Sequence, residues 1–297
     1  MKSIMYHYIR NYNKEFPYHN YLEKKIYKKQ IKNFSKLGIA SNEEEIYSYN
    51  KKYILTFDDG YKDHLWVAKE LKKNNCIGLF FISSLPYKKN ELLDVHKTHL
   101  IIGKVGGTLA LKELKKYLNK KKNNSFLNTN EKRKYKAAYV KHQDGRNKKE
   151  FKKIMNYYGD IKIKNKILNY LLKVFDINIK AKDYYLSKNE IKYMSDIGMI
   201  IGSHTVSHAL LSRLSYKEQY KEISENKDFI ENLTKKKCDT FCYPYGGKIS
   251  YNSNTIKILK KLKFKLAYTV KYKDISKKDF LNKPLELPRY DCNQFFS

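Results

Sequence analysis

The chain has 297 residues, with 62 Lys or Arg against 30 Asp or Glu, a formal charge of +32. That length can bury one large α/β core or two small ones. The charge would draw nucleic acid, an anionic membrane surface or an acidic glycan, but no zinc-finger spacing, RNA-binding aromatic motif or helix-turn-helix accompanies it, which argues against specific nucleic-acid binding.

The excess is mostly lysine, spread along the whole chain among abundant Asn, Ile and Tyr, a mixture that reads as coding bias as much as a binding surface. Cys76, Cys238, Cys242 and Cys292 are scattered, and no second pair completes a zinc site around Cys238 and Cys242. They read as free thiols in a reducing compartment. The N-terminus has no apolar h-region, and no later run reaches the length of a membrane span. A soluble, cytoplasmic chain is expected.

In chain order, residues 3–9 predict a first strand, with His7 as a core histidine inside it. Leu22, Ile26, Gln30 and Phe34 give helical spacing over 21–36, and Gly38 is placed to stop that helix. Residues 53–57 form a short apolar run that reads as a buried strand. It ends abruptly in Asp58, Asp59 and Gly60, the glycine being available for an unusual backbone angle. A helix over 63–74, with Leu65, Ala68 and Leu71 inward, and an apolar strand over 76–83 complete a βαβ unit. A parallel sheet follows.

The alternation then stops. Between Leu111 and Lys180 the chain carries 21 Lys or Arg and 6 Asp or Glu. Ile163, Ile167, Leu171 and Phe175 share one helical face, and the polar stretch Lys120–Asn130 reads as a loop. Residues 86–185 are expected to be a lysine-rich, largely helical insertion within a single domain spanning 1–297. Regularity returns with a capping box from Ser187 to Glu190 and a helix stopped at Gly198. A strand at 199–203 leads to His204 and His208. A second capping box, Ser215 to Glu218, opens a helix bearing Tyr220, Ile223, Ile230 and Leu233. Strands at 240–243 and 266–270, a helix near 254–263 and a last strand at 285–290 complete the pattern. Strand-helix alternation on both sides of the insertion predicts a closed or nearly closed parallel (β/α) barrel.

Active sites on such sheets gather at the C-terminal ends of the strands. Asp58 and Asp59 leave one strand there, and His204 and His208 another. A carboxylate with two histidines makes a metal site with open positions. A bound divalent ion would lower the pKa of water and polarise a carbonyl, while the other carboxylate takes the water's proton. These residue types alone do not separate Zn²⁺ from a non-haem Fe(II) triad. A zincin is disfavoured, because no glutamate follows the first histidine. Phe241 to Gly247 ends another strand in a Pro-Tyr-Gly turn, which can aim backbone N–H groups at a tetrahedral oxyanion.

Three stretches, Thr56-Phe57-Asp58-Asp59-Gly60, Ser203-His204-Thr205-Val206-Ser207-His208 and Tyr243-Pro244-Tyr245-Gly246, together resemble the first three motifs of the polysaccharide deacetylases (the NodB-homology family, carbohydrate esterase family four). The resemblance covers residues 1–85 and 187–290. It implies a distorted (β/α) barrel with a divalent metal, usually Zn²⁺, that removes acetyl groups from an acetylated sugar or polysaccharide. By motif position, Asp58 would be the general base and Asp59, His204 and His208 the metal ligands. Tyr245 would give its backbone N–H to the oxyanion.

Two departures stand out. Cys242 and Tyr243 occupy the region where many members carry an arginine, and Leu285 to Tyr290 lacks the histidine that serves many as general acid. His96, in the segment Leu92 to His99 that opens the insertion, is the candidate acid. Without an acid, an O-acetyl ester would be easier to cleave than an N-acetyl amide. The lysines would suit an anionic substrate. The alternative function is a catalytically inactive carbohydrate- or anion-binding protein on the same fold.

Overall fold

The computed structural model describes residues 1–120, 126–140 and 144–295. The chain forms two compact units: one from Met1–Asn11, Tyr21–Glu91 and the chain from Ala181 on, the other from Tyr12–Asn20 and Leu92–Lys180. The first unit opens with β1 (Lys2–Tyr6), α1 (Lys24–Leu37), α2 (Glu43–Tyr47), β2 (Tyr53–Asp58), α3 (His64–Lys73), β3 (Gly78–Ile82) and α4 (Leu85–Lys89). The second unit carries α5 (Asp94–Lys120), α6 (Thr129–Lys134), α7 (Arg146–Lys153) and α8 (Ile161–Val174). The chain returns through α9 (Ala181–Tyr184), α10 (Lys188–Asp196), β4 (Ile200–Ser203) and α11 (Tyr216–Thr234). It finishes with β5 (Thr240–Cys242), α12 (Ser253–Lys261), β6 (Leu266–Tyr268), α13 (Lys277–Asn282) and β7 (Tyr290–Asp291).

All strand pairs of the first unit are parallel, in the order β6-β5-β4-β3-β2-β1-β7. Leu287, just before β7, donates to Ala267 O and accepts from Thr269 N, each at 2.8 Å, at the β6 edge. Tyr290 and Asp291 pair with Ile4 and Met5 of β1. One short segment therefore reaches both edges, and the sheet curls into a barrel, parallel as the alternation predicts and distorted as the resemblance implies. The expected strand over 285–290 is reduced to these two contacts. Pro284–Glu286 is a 3₁₀ turn, and Pro288 has no N–H to give a ladder.

Every residue of β2 and β3 is buried, as a parallel strand covered on both faces requires. Tyr6, Phe57 and Phe80 stack in series across β1, β2 and β3, with ring centroids 5.2 and 4.6 Å apart. In α1 the buried face is Tyr27, Gln30, Ile31 and Phe34, and Gly38 ends the helix at φ 91°. Leu22 lies outside that helix, in an isolated bridge to Ile9. The two predicted capping boxes form as read, Ser187 with Glu190 on α10 and Ser215 with Glu218 on α11.

In the second unit, α5 is kinked at Gly106 and packs on α7 and α8. Residues 12–20 belong to this unit, tied by Tyr18 N to Gly103 O at 2.9 Å. Of the polar stretch Lys120–Asn130, Lys121 to Ser125 lie outside the described residues. Among the described residues, no helix is long and apolar enough to cross a membrane.

Candidate active site

Asp58 is the last residue of β2, and the chain leaves it through two left-handed residues, Asp59 at φ 80° and Gly60 at φ 66°. This elbow separates the adjacent carboxylates, because each finds a different set of partners. Both are buried.

Asp59 faces the histidines. Its Oδ1 lies 3.5 Å from His204 Nε2 and 3.5 Å from His208 Nε2, and its Oδ2 accepts from the Tyr61 hydroxyl at 2.7 Å. His204 follows β4 and is pinned by the end of β3, its N–H donating to Ile82 O and its carbonyl accepting from Ser83 Oγ. The loop to His208 uses left-handed angles at Thr205 (φ 64°) and His208 (φ 56°). Glu222 on α11 holds that loop: its carboxylate accepts from Ser207 N and Ser207 Oγ, each at 2.8 Å, and its carbonyl from Val206 N.

The residues fit a divalent metal. Ligands about 2.0–2.1 Å from a tetrahedral ion lie roughly 3.3–3.4 Å apart, close to the two spacings of 3.5 Å here. His204 Nδ1 is 2.8 Å from the Cys242 carbonyl. A carbonyl only accepts, so Nδ1 carries the proton and Nε2 presents its lone pair toward Asp59. Burial lowers the His204 pKa despite the nearby carboxylates, which keeps the ring in the neutral form that binds metal. Asp58, His204 and Cys242 also lie within ligand distance of one another. That trio is less suitable, since both Asp58 oxygens face a guanidinium.

Asp58 is bound by Arg289 through two parallel bonds, Nη1 to Oδ1 and Nη2 to Oδ2, each 2.8 Å. Arg289 is fully buried. It also donates to Thr56 Oγ1 and Thr269 O and lies 3.0 Å from Cys242 Sγ. The Cys242 thiol bridges onward to Asp58 Oδ2 at 3.4 Å. Burial alone would raise the Asp58 pKa, but the charge and hydrogen bonds of Arg289 outweigh it and hold the carboxyl at about 2. His7, one residue past β1, reaches the same oxygen: Nε2 is 3.8 Å from Asp58 Oδ2, and its side chain is 38 % exposed. His64 holds the backbone of His7, its Nε2 lying 2.8 Å from His7 O.

Tyr245 follows Pro244 with φ 64°, its ring edge-on to His208 at a centroid distance of 4.9 Å. His96 is fully buried on α5 in the second unit, its ring 6.0 Å from that of His99. Asp58, Asp59, His204 and His208 are thus brought together as the sequence suggests. Arg289, His7 and Tyr61 were not read as site residues. An arginine in the apolar run Leu285 to Tyr290, and a histidine at the end of a strand, are the signals that point to the first two.

A parallel barrel with a carboxylate-histidine cluster at its strand mouths is a framework suited to metal-assisted hydrolysis. The polysaccharide deacetylase model matches residues 48–267, and the chain belongs to that family. YxkH of Bacillus subtilis, which carries the same family in its name, is 28 % identical over 86 residues, covering 29 % of this chain. The match spans only 30 % of that relative's length. The fold is similar to that of the Streptococcus pyogenes deacetylase PplD, with TM-score 0.61 and 16 % identity, over 98 % of this chain and 91 % of the other. It is also similar to IcaB from Ammonifex degensii, with TM-score 0.53 and 15 % identity, over 97 % and 89 %.

Proposed function

We propose that the chain is a carbohydrate deacetylase in which Asp59, His204 and His208 hold a divalent metal, Zn²⁺ being the ion that the family resemblance implies and that one carboxylate and two imidazoles suit. The observation that carries this reading is the pairing of the three-ligand cluster with a second, Arg289-bound carboxylate beside it. When bound, the metal would lower the pKa of water and polarise the acetyl carbonyl.

Asp58, kept ionised by Arg289, would take the proton of the attacking water as its oxygen bonds to the acyl carbon. Its low pKa makes it a weak base but guarantees the charged form. The backbone N–H of Tyr245 is the candidate donor to the oxyanion. As the bond between acyl carbon and leaving atom breaks, that atom needs a proton, and His7, a part-exposed imidazole whose Nε2 lies 3.8 Å from Asp58 Oδ2, is the candidate to supply it. An acid in place makes an N-acetyl substrate accessible, and the lysine excess would favour an anionic glycan. His96 is the other candidate acid.

Acetate release from N-acetylated and O-acetylated sugars tests both the activity and the acid. His7→Ala is expected to lower kcat on the amide by about 10²–10⁴-fold, the usual contribution of general acid-base catalysis, and on the ester by far less. The same selective loss in His96→Ala instead would move the role to His96. A loss equal on both substrates would mark a folding defect. No acetate release by wild type, with the metal bound, would favour an inactive carbohydrate-binding protein.

A further inference from the structure

We propose that Tyr61 is a positioning residue that restricts Asp59 to one-oxygen ligation and thereby sets the metal preference of the site. The proposal rests on the reading that Asp59, His204 and His208 hold a metal.

The two oxygens of Asp59 have different surroundings. Oδ1 faces both imidazole Nε2 atoms at 3.5 Å. Oδ2 accepts the Tyr61 hydroxyl at 2.7 Å, a short bond between a neutral donor and a charged acceptor. Tyr61 is fully buried and Asp59 only 4 % exposed. The direction of the hydroxyl is set by packing. The Tyr61 ring stacks on Tyr8 at 4.0 Å and meets Tyr184 edge-on at 5.6 Å, and its backbone bridges to Tyr185. A ring held on several sides cannot swing away to release the second carboxylate oxygen.

The chemical consequence follows from coordination number. A carboxylate that binds through both oxygens fills an extra position and suits larger, oxygen-seeking ions such as Mn²⁺ or Ca²⁺. A carboxylate with one oxygen engaged by a hydroxyl supplies a single ligand. With two imidazoles it leaves the three-ligand, open-position arrangement that suits Zn²⁺ or Co²⁺. Groups that orient a ligand in this way typically change metal affinity 10–100-fold when removed.

Tyr61→Phe removes the hydroxyl and keeps the ring. Metal-free wild type and variant would be titrated with Zn²⁺, Co²⁺ and Mn²⁺ against a chromophoric chelator, and the visible spectrum of the Co²⁺ form recorded. Wild type is expected to bind one ion per chain and to prefer Zn²⁺ over Mn²⁺. In Tyr61→Phe, Zn²⁺ and Co²⁺ affinity should fall roughly 10–100-fold and Mn²⁺ affinity by less, and the Co²⁺ bands should weaken as coordination rises. Unchanged affinities and an unchanged Co²⁺ spectrum would overturn the proposal. An equal loss for all three ions, with a lowered Tm of the metal-free variant, would make Tyr61 a packing residue only and overturn it too. Absence of metal binding by wild type would overturn the metal site itself, a result distinct from the other two.

Discussion

Arg289 and Asp58 place two full charges in the interior, and the consequences of that pairing can be separated by pH. The wild-type Asp58 pKa is about 2, against about 3.9 for an unfolded aspartate. A depressed pKa contributes stability that is present above the unfolded value and is lost as pH falls from about 4 through about 2. Arg289→Met leaves Asp58 buried without its partner. Breaking a buried pair from one side costs about 3–5 kcal/mol, and burial then raises the Asp58 pKa above its unfolded value. The penalty should therefore be largest at pH 7 and shrink as the medium is acidified and Asp58 protonates. Denaturant unfolding of wild type and Arg289→Met at pH 7 and pH 4 measures this difference, and the double variant with Asp58→Asn should be more stable at pH 7 than Arg289→Met alone. An identical gap at both pH values would mean the pair is not what holds this region.

The four residues of the cluster were legible because their motifs are local: Asp58 and Asp59 are adjacent, and His204 and His208 share one loop. Arg289 was not, since its partner lies 231 positions away and nothing in the sequence records which strand ends become neighbours. His7 read as a core histidine for the same reason. β1 ends at Tyr6, so His7 falls at the mouth instead of inside the strand.

At the scale of elements, β4 decides where His204 stands. It pairs with β3 on one side, Phe81 opposite Gly202, and with β5 on the other, Ser203 opposite Phe241. A Cβ at Gly202 would lie 2.5 Å from Thr240 Oγ1 and 2.6 Å from the Phe81 ring. Both obstacles belong to neighbouring strands, so Gly202→Ala must displace the strand end or the ring. Overpacking of this kind costs about 1–3 kcal/mol. The account expects Gly202→Ala to stay folded and to bind metal more weakly, because the displacement is two residues from His204. Metal titration beside denaturant unfolding checks it, and full affinity in a destabilised variant would show that β4 does not set the ligand.

The capping boxes on α10 and α11 were readable because they are complete within four residues. The segment before β7 was not. Leu287 pairs at the β6 edge and Tyr290 at β1, so apolar composition that reads as one strand is divided between two neighbours around Pro288.

At the scale of the whole molecule, strand-helix alternation was enough to indicate a parallel barrel, because a parallel sheet needs a crossover between strands and the sequence shows those crossovers as amphipathic helices. It could not show that Tyr12–Asn20 joins Leu92–Lys180 in the second unit, since the two are far apart in sequence. The lysine excess runs through both units, so composition by itself does not locate a binding surface. The proposed function assigns different tasks to two adjacent carboxylates. The most direct test sets Asp59→Asn beside Asp58→Asn and measures metal per chain and acetate release for each. The account predicts that Asp59→Asn loses the stoichiometric ion, because an amide is a weak ligand. Asp58→Asn should keep the ion and lose at least about 10²-fold in kcat, because an amide cannot take the water's proton. Two variants that behave alike in both measurements would contradict it.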